Sequence, residues 1–208
     1  KLTTRTEQAE QLLPLWQAKL EDLLGAHVLS FSDKNSDQPA SIAKCLVDLL
    51  ALNKQTLSTA ESCTGGLIAS NITRIPGSSA VFEAGYVTYS NRIKSQCLKV
   101  QEPTLIANGA VSEAVVLEMA QGALKASGSD WTIAVSGIAG PDGGTGDKPV
   151  GTVWLCWGNK NELKTKRLVY PTNRLNFQRF IANAGLDLIR REMLGIEVEP
   201  SYFSRTGK

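Results

Sequence analysis

The sequence predicts an α/β protein, a three-layer α/β/α fold around a mixed, mostly parallel sheet. From residue 40 onward, short runs of strand-forming residues alternate with amphipathic helical segments, and turn residues separate them. Residues 132–169 depart from this alternation, because three strand-like runs follow one another there without a helix. A parallel crossover needs a long connection, so at least one of these strands is predicted to be antiparallel.

Between residues 40 and 100 the chain is predicted to form helix, strand, helix, strand and helix. Apolar residues at helical spacing indicate the helices, and β-branched and aromatic residues indicate the strands. In chain order the segments are "ASIAKCLVDLLALN", "QTLSTAES", "GGLIASNITRI", "VFEAGYVTYS" and "RIKSQCLKV". Ser41 is placed to cap the first helix, and Pro76-Gly77 to end the second.

The second half of the domain is predicted to form a helix, three strands and a closing helix. The first helix spans about Ser112 to Ser127, with Ser112 as its N-cap. The remaining segments are "WTIAVSG", "PVGTVWLCWG", "LKTKRLVY" and the amphipathic "RLNFQRFIANAGLDLIRREML". A long loop, "IAGPDGGTGDK", joins the first two of these strands.

Residues 1–38 differ from the rest of the chain. "EQAEQLLPLWQAKLEDLLG" has helical spacing interrupted by Pro14, and the polar segment "SDKNSDQPAS" follows it as a linker. Because the chain also begins without methionine, we expect residues 1–38 to be a remnant or linker of a longer protein. The main domain is expected over residues 39–195, and a tail over 196–208.

Composition narrows the function classes. The 208 residues carry a net charge of +2 with interspersed signs, which gives no basic footprint for nucleic acid. The sequence shows no membrane-length apolar run, and no basic segment followed by an apolar one opens it, so we expect a cytoplasmic protein without a membrane partner. Four cysteines without metal-site spacing predict buried free thiols rather than a disulfide or a metal site: Cys45, Cys63, Cys97 and Cys156. No cofactor is predicted.

The chain has a single histidine, His27, which lies in the N-terminal segment. We interpret it as a peripheral residue, so a Ser-His or Cys-His pair is not expected. Acid-base chemistry must then come from Lys, Tyr, Asp or Glu.

The segment "TAESCTGG" places Ser62 at the carboxyl end of a predicted strand, directly before a helix. Open α/β sheets bind ligands at this edge, and free backbone N–H groups of Thr64, Gly65 and Gly66 could hold a phosphate or an oxyanion. A capping turn is the alternative interpretation. Cys63 is a second candidate nucleophile, ranked lower because no histidine is available to form its ion pair.

The segment "YVTYSNRIK" places Lys94 in the first turn of a helix that Ser90 or Asn91 can cap. Positive amide dipoles and burial both disfavour the charged amine, so the pKa of Lys94 is expected to fall. A neutral lysine could act as a general base on a serine hydroxyl, with Tyr89 orienting it or relaying the proton. The alternative is a solvated lysine beside a rim tyrosine.

Six glycines lie in the loop "GIAGPDGGTGDKPVG". Long loops in compact domains are commonly functional, so its amides could line a pocket opposite Ser62. A flexible hairpin connection is the alternative.

Four ordered motifs resemble the C-terminal domain of the competence-damage-inducible CinA family: "TAESCTGGLIASNITRIPGSSAVF", "GYVTYSNRIKSQCL", "GAVSEAV" and "SGIAGPDGGTGDKPVGTVW". The resemblance covers about residues 40–190. The family includes amidohydrolases of nicotinamide mononucleotide (NMN). The resemblance implies a metal-free serine amidase, in which Ser62 attacks the carboxamide and Tyr89 and Lys94 take the place of the usual histidine.

The resemblance further implies a small-molecule partner, NMN, whose phosphate would be bound by Arg174, with Arg179 as the reserve candidate. The predicted substrate-binding residues are Cys63, Thr64, Gly65, Gly66, Asn91, Ser112, Gly137, Ala139, Gly140 and Arg174. A homo-oligomer, a dimer, is expected. The alternative function is a catalytically silent nucleotide-sensing or partner-binding domain. Phosphoryl transfer is a third option, but the sequence contains neither the GKS/T segment nor the acidic metal cluster that this reaction would use.

Overall fold

The computed structural model describes residues 7–24, 41–196 and 199–203. It divides into two compact units, Lys1–Ser41 and Ile42–Lys208. In the first unit, helix α1 (Glu7–Leu24) continues through Pro14, so the predicted interruption is wrong. Proline removes one backbone donor from a helix interior and bends it, and this need not end the helix. His27 and the predicted boundary at residue 38 lie outside the described residues.

The second unit contains a five-stranded mixed sheet. Its strands are β1 (Leu57–Glu61), β2 (Phe82–Val87), β3 (Trp131–Gly137), β4 (Thr152–Asn159) and β5 (Leu163–Val169). Their spatial order is β2-β1-β3-β4-β5. β1 is parallel to β2 and β3, whereas β4 is antiparallel to β3 and β5. Only β4 therefore opposes the common direction, which confirms a mixed, mostly parallel sheet.

Helices cover both faces of this sheet. They are α2 (Ile42–Asn53), α3 (Leu67–Thr73), α4 (Asn91–Leu98), α5 (Glu102–Asn108), α6 (Glu113–Ser127) and α7 (Arg174–Met193). One core cluster joins α2, α3 and α7 to the sheet through residues such as Leu46, Ile68 and Phe177. The other joins α6 to the opposite face through Val115 and Met119. The three layers are thus confirmed, and α5 is an element that the sequence pattern did not predict.

The parallel strands bring three candidate site segments to one edge of the sheet. These are "TAESCTGG", "YVTYSNRIK" and the glycine-rich loop. Glu61 at the end of β1 pairs with Val87 at the end of β2 and with Val135 in β3. Because these strands share a direction, the loops that follow them leave the same side. Ser62, the segment before α4 and the glycine-rich loop all follow these strand ends.

Residues 199–203 belong to the second unit and pack against its helix α7 and strand β4. The hydroxyl of Tyr202 donates to a carboxylate oxygen of Asp187 at 3.1 Å. The ring of Phe203 lies 6.3 Å from that of Trp157, centroid to centroid. Residues 204–208 lie outside the described part of the chain.

Candidate active site

Ser62 occupies the turn that connects β1 to α3. Its backbone N–H donates to the carbonyl of Val135 at 3.0 Å, which extends the β1–β3 ladder by one bond. Its carbonyl accepts from the N–H of Gly65 at 3.1 Å. Gly65 and Gly66 have φ values of +62° and +93°, and this left-handed backbone favours glycine. The two glycines therefore let the chain turn sharply from strand to helix behind the serine.

The buried carboxylate of Glu61 anchors this turn to α3. One of its oxygens accepts from Thr64 Oγ1 at 2.7 Å, Gly66 N at 3.1 Å and Ile68 N at 3.0 Å. The other accepts from Ala69 N at 2.8 Å. A negative charge at a helix N-terminus satisfies free amides and the helix dipole together. The Glu61 carboxylate therefore faces the backbone at the start of α3.

These contacts correct the predicted oxyanion site. The N–H of Gly65 donates to Ser62 O and that of Gly66 to Glu61, so neither amide is free to bind a ligand. The prediction of free amides at both glycines is therefore wrong. The backbone N–H groups of Cys63 and Thr64 hydrogen-bond to the Cys63 thiol, and within the described ranges they donate to no oxygen. Of the amides in this turn, these two are thus the ones not committed to an oxygen.

Lys94 meets Ser62 across the edge of the sheet. Ser90 caps α4, and Lys94 lies in its first turn with only 1% of its surface exposed. Its Nζ atom lies 3.1 Å from Ser62 Oγ. It also donates to the carbonyls of Thr88 at 2.8 Å and Tyr89 at 3.3 Å. Two carbonyls and one hydroxyl therefore surround the amine.

The buried position of Lys94 disfavours the charged amine, compared with a lysine in water. Burial lowers the pKa of Lys94 to about 8, and the nearby Cys63 thiol opposes that shift. A neutral amine has two hydrogens and one lone pair. With the hydrogens on the carbonyls of Thr88 and Tyr89, the lone pair faces the Ser62 hydroxyl. This geometry allows Lys94 to accept the serine proton.

Cys63 has the opposite properties. Its thiol is buried, and burial raises the pKa of Cys63 to about 12. Because the thiolate is the reactive form of cysteine, this side chain is inert at neutral pH. The electrostatics therefore favour Ser62 over Cys63 as the nucleophile.

The side chain of Tyr89 points to Arg174 and not to the Ser62–Lys94 pair. Its hydroxyl accepts from Arg174 Nη2 at 3.1 Å, and the residue is 62% exposed. Among the described contacts, this hydroxyl bonds to neither Ser62 nor Lys94. The predicted proton relay through the phenol is therefore not supported. Tyr89 contacts the Lys94 amine through its backbone carbonyl.

Arg174 bridges the tyrosine and the glycine-rich loop. As the first residue of α7, it donates from Nη1 to the carbonyl of Gly140 at 2.9 Å. Lys148 in turn donates to the carbonyl of Asn108 at 2.8 Å, which fixes the far side of the loop.

Arg179 lies in α7 five residues after Arg174, about 140° around the helix. It therefore faces away from Arg174, against the interpretation of Arg179 as a reserve ligand.

Gln178 is a contact that sequence reasoning missed. Its Nε2 atom donates to the carbonyl of Cys63 at 2.8 Å and joins α7 to the nucleophile turn. Gln178 and Arg174 are four residues apart, so both lie on one face of α7. This four-residue separation from Arg174 is the feature of the sequence that could have identified Gln178 as a site residue.

The remaining predicted residues lie around this edge. Gly137 ends β3 and Ala139 is buried just after it, while Asn91 begins α4 with an exposed side chain. Ser112 caps α6 by accepting from Val115 N and donates to the carbonyl of Gly109 at 2.9 Å. Its hydroxyl is thus committed to local structure.

In the described parts of the chain, His, Cys, Asp and Glu side chains form no group of three or more suited to a metal ion. Of the helices that the structure describes, none combines the length and the apolar composition of a membrane span.

Fold and site together define a mixed α/β protein with a serine–lysine pair at the carboxyl edge of its parallel strands. The protein-family model described as the CinA C-terminal domain matches residues 39–193 of this sequence. The chain belongs to the CinA C-terminal domain family.

Relatives of known sequence agree with this family. A CinA-like protein of Colwellia psychrerythraea is 51% identical over 204 residues, 98% of this chain and 46% of that protein. The nicotinamide-nucleotide amidohydrolase PncC of Pseudomonas putida is 49% identical over 151 residues, 73% of this chain and 94% of that protein. The PncC of Escherichia coli is 56% identical over 120 residues, 57% and 73% of the two chains. The chain spans about half the length of the curated CinA-like relatives it matches.

Solved structures show the same fold. The competence/damage-inducible protein CihA of Agrobacterium tumefaciens superposes with a TM-score of 0.70 at 40% identity, over 72% of this chain and 92% of that one. A CinA superfamily protein of Klebsiella pneumoniae superposes with a TM-score of 0.72 at 32% identity, over 74% and 96% of the two chains.

Proposed function

We propose that this protein hydrolyses the carboxamide of NMN to nicotinic acid mononucleotide and ammonia. The observation that carries the proposal is the buried amine of Lys94, 3.1 Å from the hydroxyl of Ser62. The 49% and 56% identity to proteins named nicotinamide-nucleotide amidohydrolase supports the choice of substrate.

In the first half of the reaction, Ser62 Oγ attacks the carboxamide carbon while Lys94 takes the hydroxyl proton. The tetrahedral intermediate collapses, the C–N bond breaks, and Lys94 returns the proton to the departing ammonia. In the second half, water attacks the resulting ester and gives its proton to Lys94. The ester bond then breaks, Lys94 returns that proton to Ser62 Oγ, and the acid is released with both residues restored. One water is consumed and one ammonia is released.

The negative oxygen of both tetrahedral intermediates needs fixed donors. The N–H groups of Cys63 and Thr64 are the candidates, because those of Gly65 and Gly66 are already bonded within the protein. The start of α3 directly after this turn adds a favourable dipole. Donors fixed before the reaction lower the barrier because they need no rearrangement.

The phosphate of NMN is assigned to Arg174, with Tyr89 beside it. The Arg174 guanidinium is held between the hydroxyl of Tyr89 and the carbonyl of Gly140, so its position is set before substrate binds. An arginine fork suits a phosphate because it presents several donors in one plane. In this proposal Tyr89 supports phosphate binding by its side chain and holds Lys94 by its backbone carbonyl.

Ammonia release tests the proposal. The purified protein is incubated with NMN, nicotinamide or NAD, and ammonia is measured at the end point. Release from NMN alone is the expected result. No ammonia from NMN together with measurable NMN binding would instead favour the silent nucleotide-sensing domain.

The domain limits at residues 39–195 and the dimer remain predictions. Light scattering of the purified protein tests the dimer.

A further inference from the structure

The turn that carries the nucleophile contains one peptide whose direction determines which N–H group faces the substrate. The hydrogen bond from Gly65 N to Ser62 O closes a four-residue β-turn, whose central peptide joins Cys63 and Thr64. The two common turn types differ by a flip of this central peptide. The flip would exchange the positions of the Cys63 carbonyl and the Thr64 N–H.

Gln178 holds the Cys63–Thr64 peptide in one of the two orientations, the one that the backbone of Thr64 also favours. Its side-chain amide donates to the carbonyl of Cys63 at 2.8 Å, so this carbonyl points toward α7. A trans peptide is planar, so the N–H of Thr64 points to the opposite side. Thr64 has no positive φ, and the flipped turn would require one at this β-branched residue.

We propose that Gln178 is a positioning residue that holds the Cys63–Thr64 peptide so that the Thr64 N–H serves as an oxyanion donor. This inference rests on the proposed function, because the oxyanion forms only when Ser62 attacks a carbonyl. Gln178 itself contacts a backbone carbonyl of the protein and no reacting atom. Its effect is therefore indirect, through the direction of one peptide.

The matched test replaces the amide of Gln178 without changing its length. Gln178→Met removes the donor and keeps the volume, and Gln178→Glu replaces the donor with a charge that repels the Cys63 carbonyl. Gln121→Met on the exposed surface of α6 is the same chemical change away from the site. Loss of one oxyanion donor typically lowers kcat by about 100- to 1,000-fold, so a misdirected donor should lower it by about 10- to 100-fold.

Three measurements separate positioning from general damage. The KM for NMN should change by less than about twofold and the midpoint of the pH profile should stay in place, because Arg174 and Lys94 are untouched. An NMN analogue with an aldehyde in place of the carboxamide forms a tetrahedral adduct with Ser62. Its affinity should fall by the same factor as kcat, and Gln121→Met should match the wild type.

Acylation by p-nitrophenyl acetate separates this inference from the proposed function, because it needs Ser62 and the oxyanion donors but not NMN. If the wild type is acylated and Gln178→Met slows acylation, the inference stands even when NMN is not hydrolysed. Unchanged kcat and acylation rates in both Gln178 variants overturn it. So does a loss confined to KM, or a shifted pH midpoint in Gln178→Met. Should Gln178→Met fail to fold, Gln178→Glu is judged by kcat, KM and the acylation rate alone, because its negative charge raises the pKa of Lys94 by itself.

Discussion

The pH dependence of the reaction follows from the environment of Lys94. Burial lowers the pKa of this amine to about 8, and only its neutral form can accept the Ser62 proton. About a tenth of the molecules carry the neutral amine at pH 7, half at pH 8 and about nine tenths at pH 9. Activity is therefore lost as pH falls and gained as it rises. We expect kcat/KM to increase about tenfold between pH 7 and 9 along one limb.

Substitution of Lys94 tests the same reasoning. Lys94→Arg keeps a positive charge but cannot lose its proton, so turnover should fall by at least about 1,000-fold. Lys94→Met removes the base with little change in volume and should be equally inactive. If charge alone mattered, the arginine variant would instead retain activity.

Initial rates of ammonia release, measured from pH 6 to 10 at low NMN concentration, give the profile of kcat/KM. Circular dichroism at each pH is the control for folding. A flat profile, or activity that falls as pH rises, would refute the assignment of Lys94 as the base. Near-native kcat in Lys94→Arg would do the same.

Three further predictions concern the nucleophile, the phosphate site and the support of the turn. Ser62→Ala should lower kcat by at least about 1,000-fold, whereas Cys63→Ala should keep a substantial fraction; the reverse result would reassign the nucleophile. Arg174→Ala should raise the KM for NMN by about 10- to 100-fold, and Tyr89→Phe should raise it less. Neither should affect nicotinamide riboside, which lacks the phosphate, and an equal effect on both substrates would contradict the assignment. Glu61→Gln should lower the free energy of unfolding by about 2–4 kcal/mol, because an amide NH₂ would face backbone donors in a buried site. Urea denaturation measures this loss, and a change below about 1 kcal/mol would mean that the turn does not depend on the carboxylate.

Several features of the fold and site followed from local sequence. The strands and long helices were predictable because their apolar spacing reflects which side of each element faces the core. The caps at Ser90 and Ser112 were predictable because a serine before a helix binds its free amides. The place of the three motifs at one edge followed from strand direction. The short α5 was missed, since its seven residues offer too little spacing to distinguish a helix from a loop.

The sequence by itself determined the order of elements, the serine in a glycine-rich turn and the lysine in a first helical turn, because these depend on neighbours in the chain. Only the tertiary structure decided that Lys94 meets Ser62 across 32 residues, at 3.1 Å and out of water. It also decided that Glu61 uses the Gly66 amide, that Tyr89 turns to Arg174, and that Gln178 holds the Cys63 carbonyl. Each of these contacts joins side chains or backbone groups from different elements. Their relative position depends on how the helices pack on the sheet, and the spacing of residues within one element does not predict that packing.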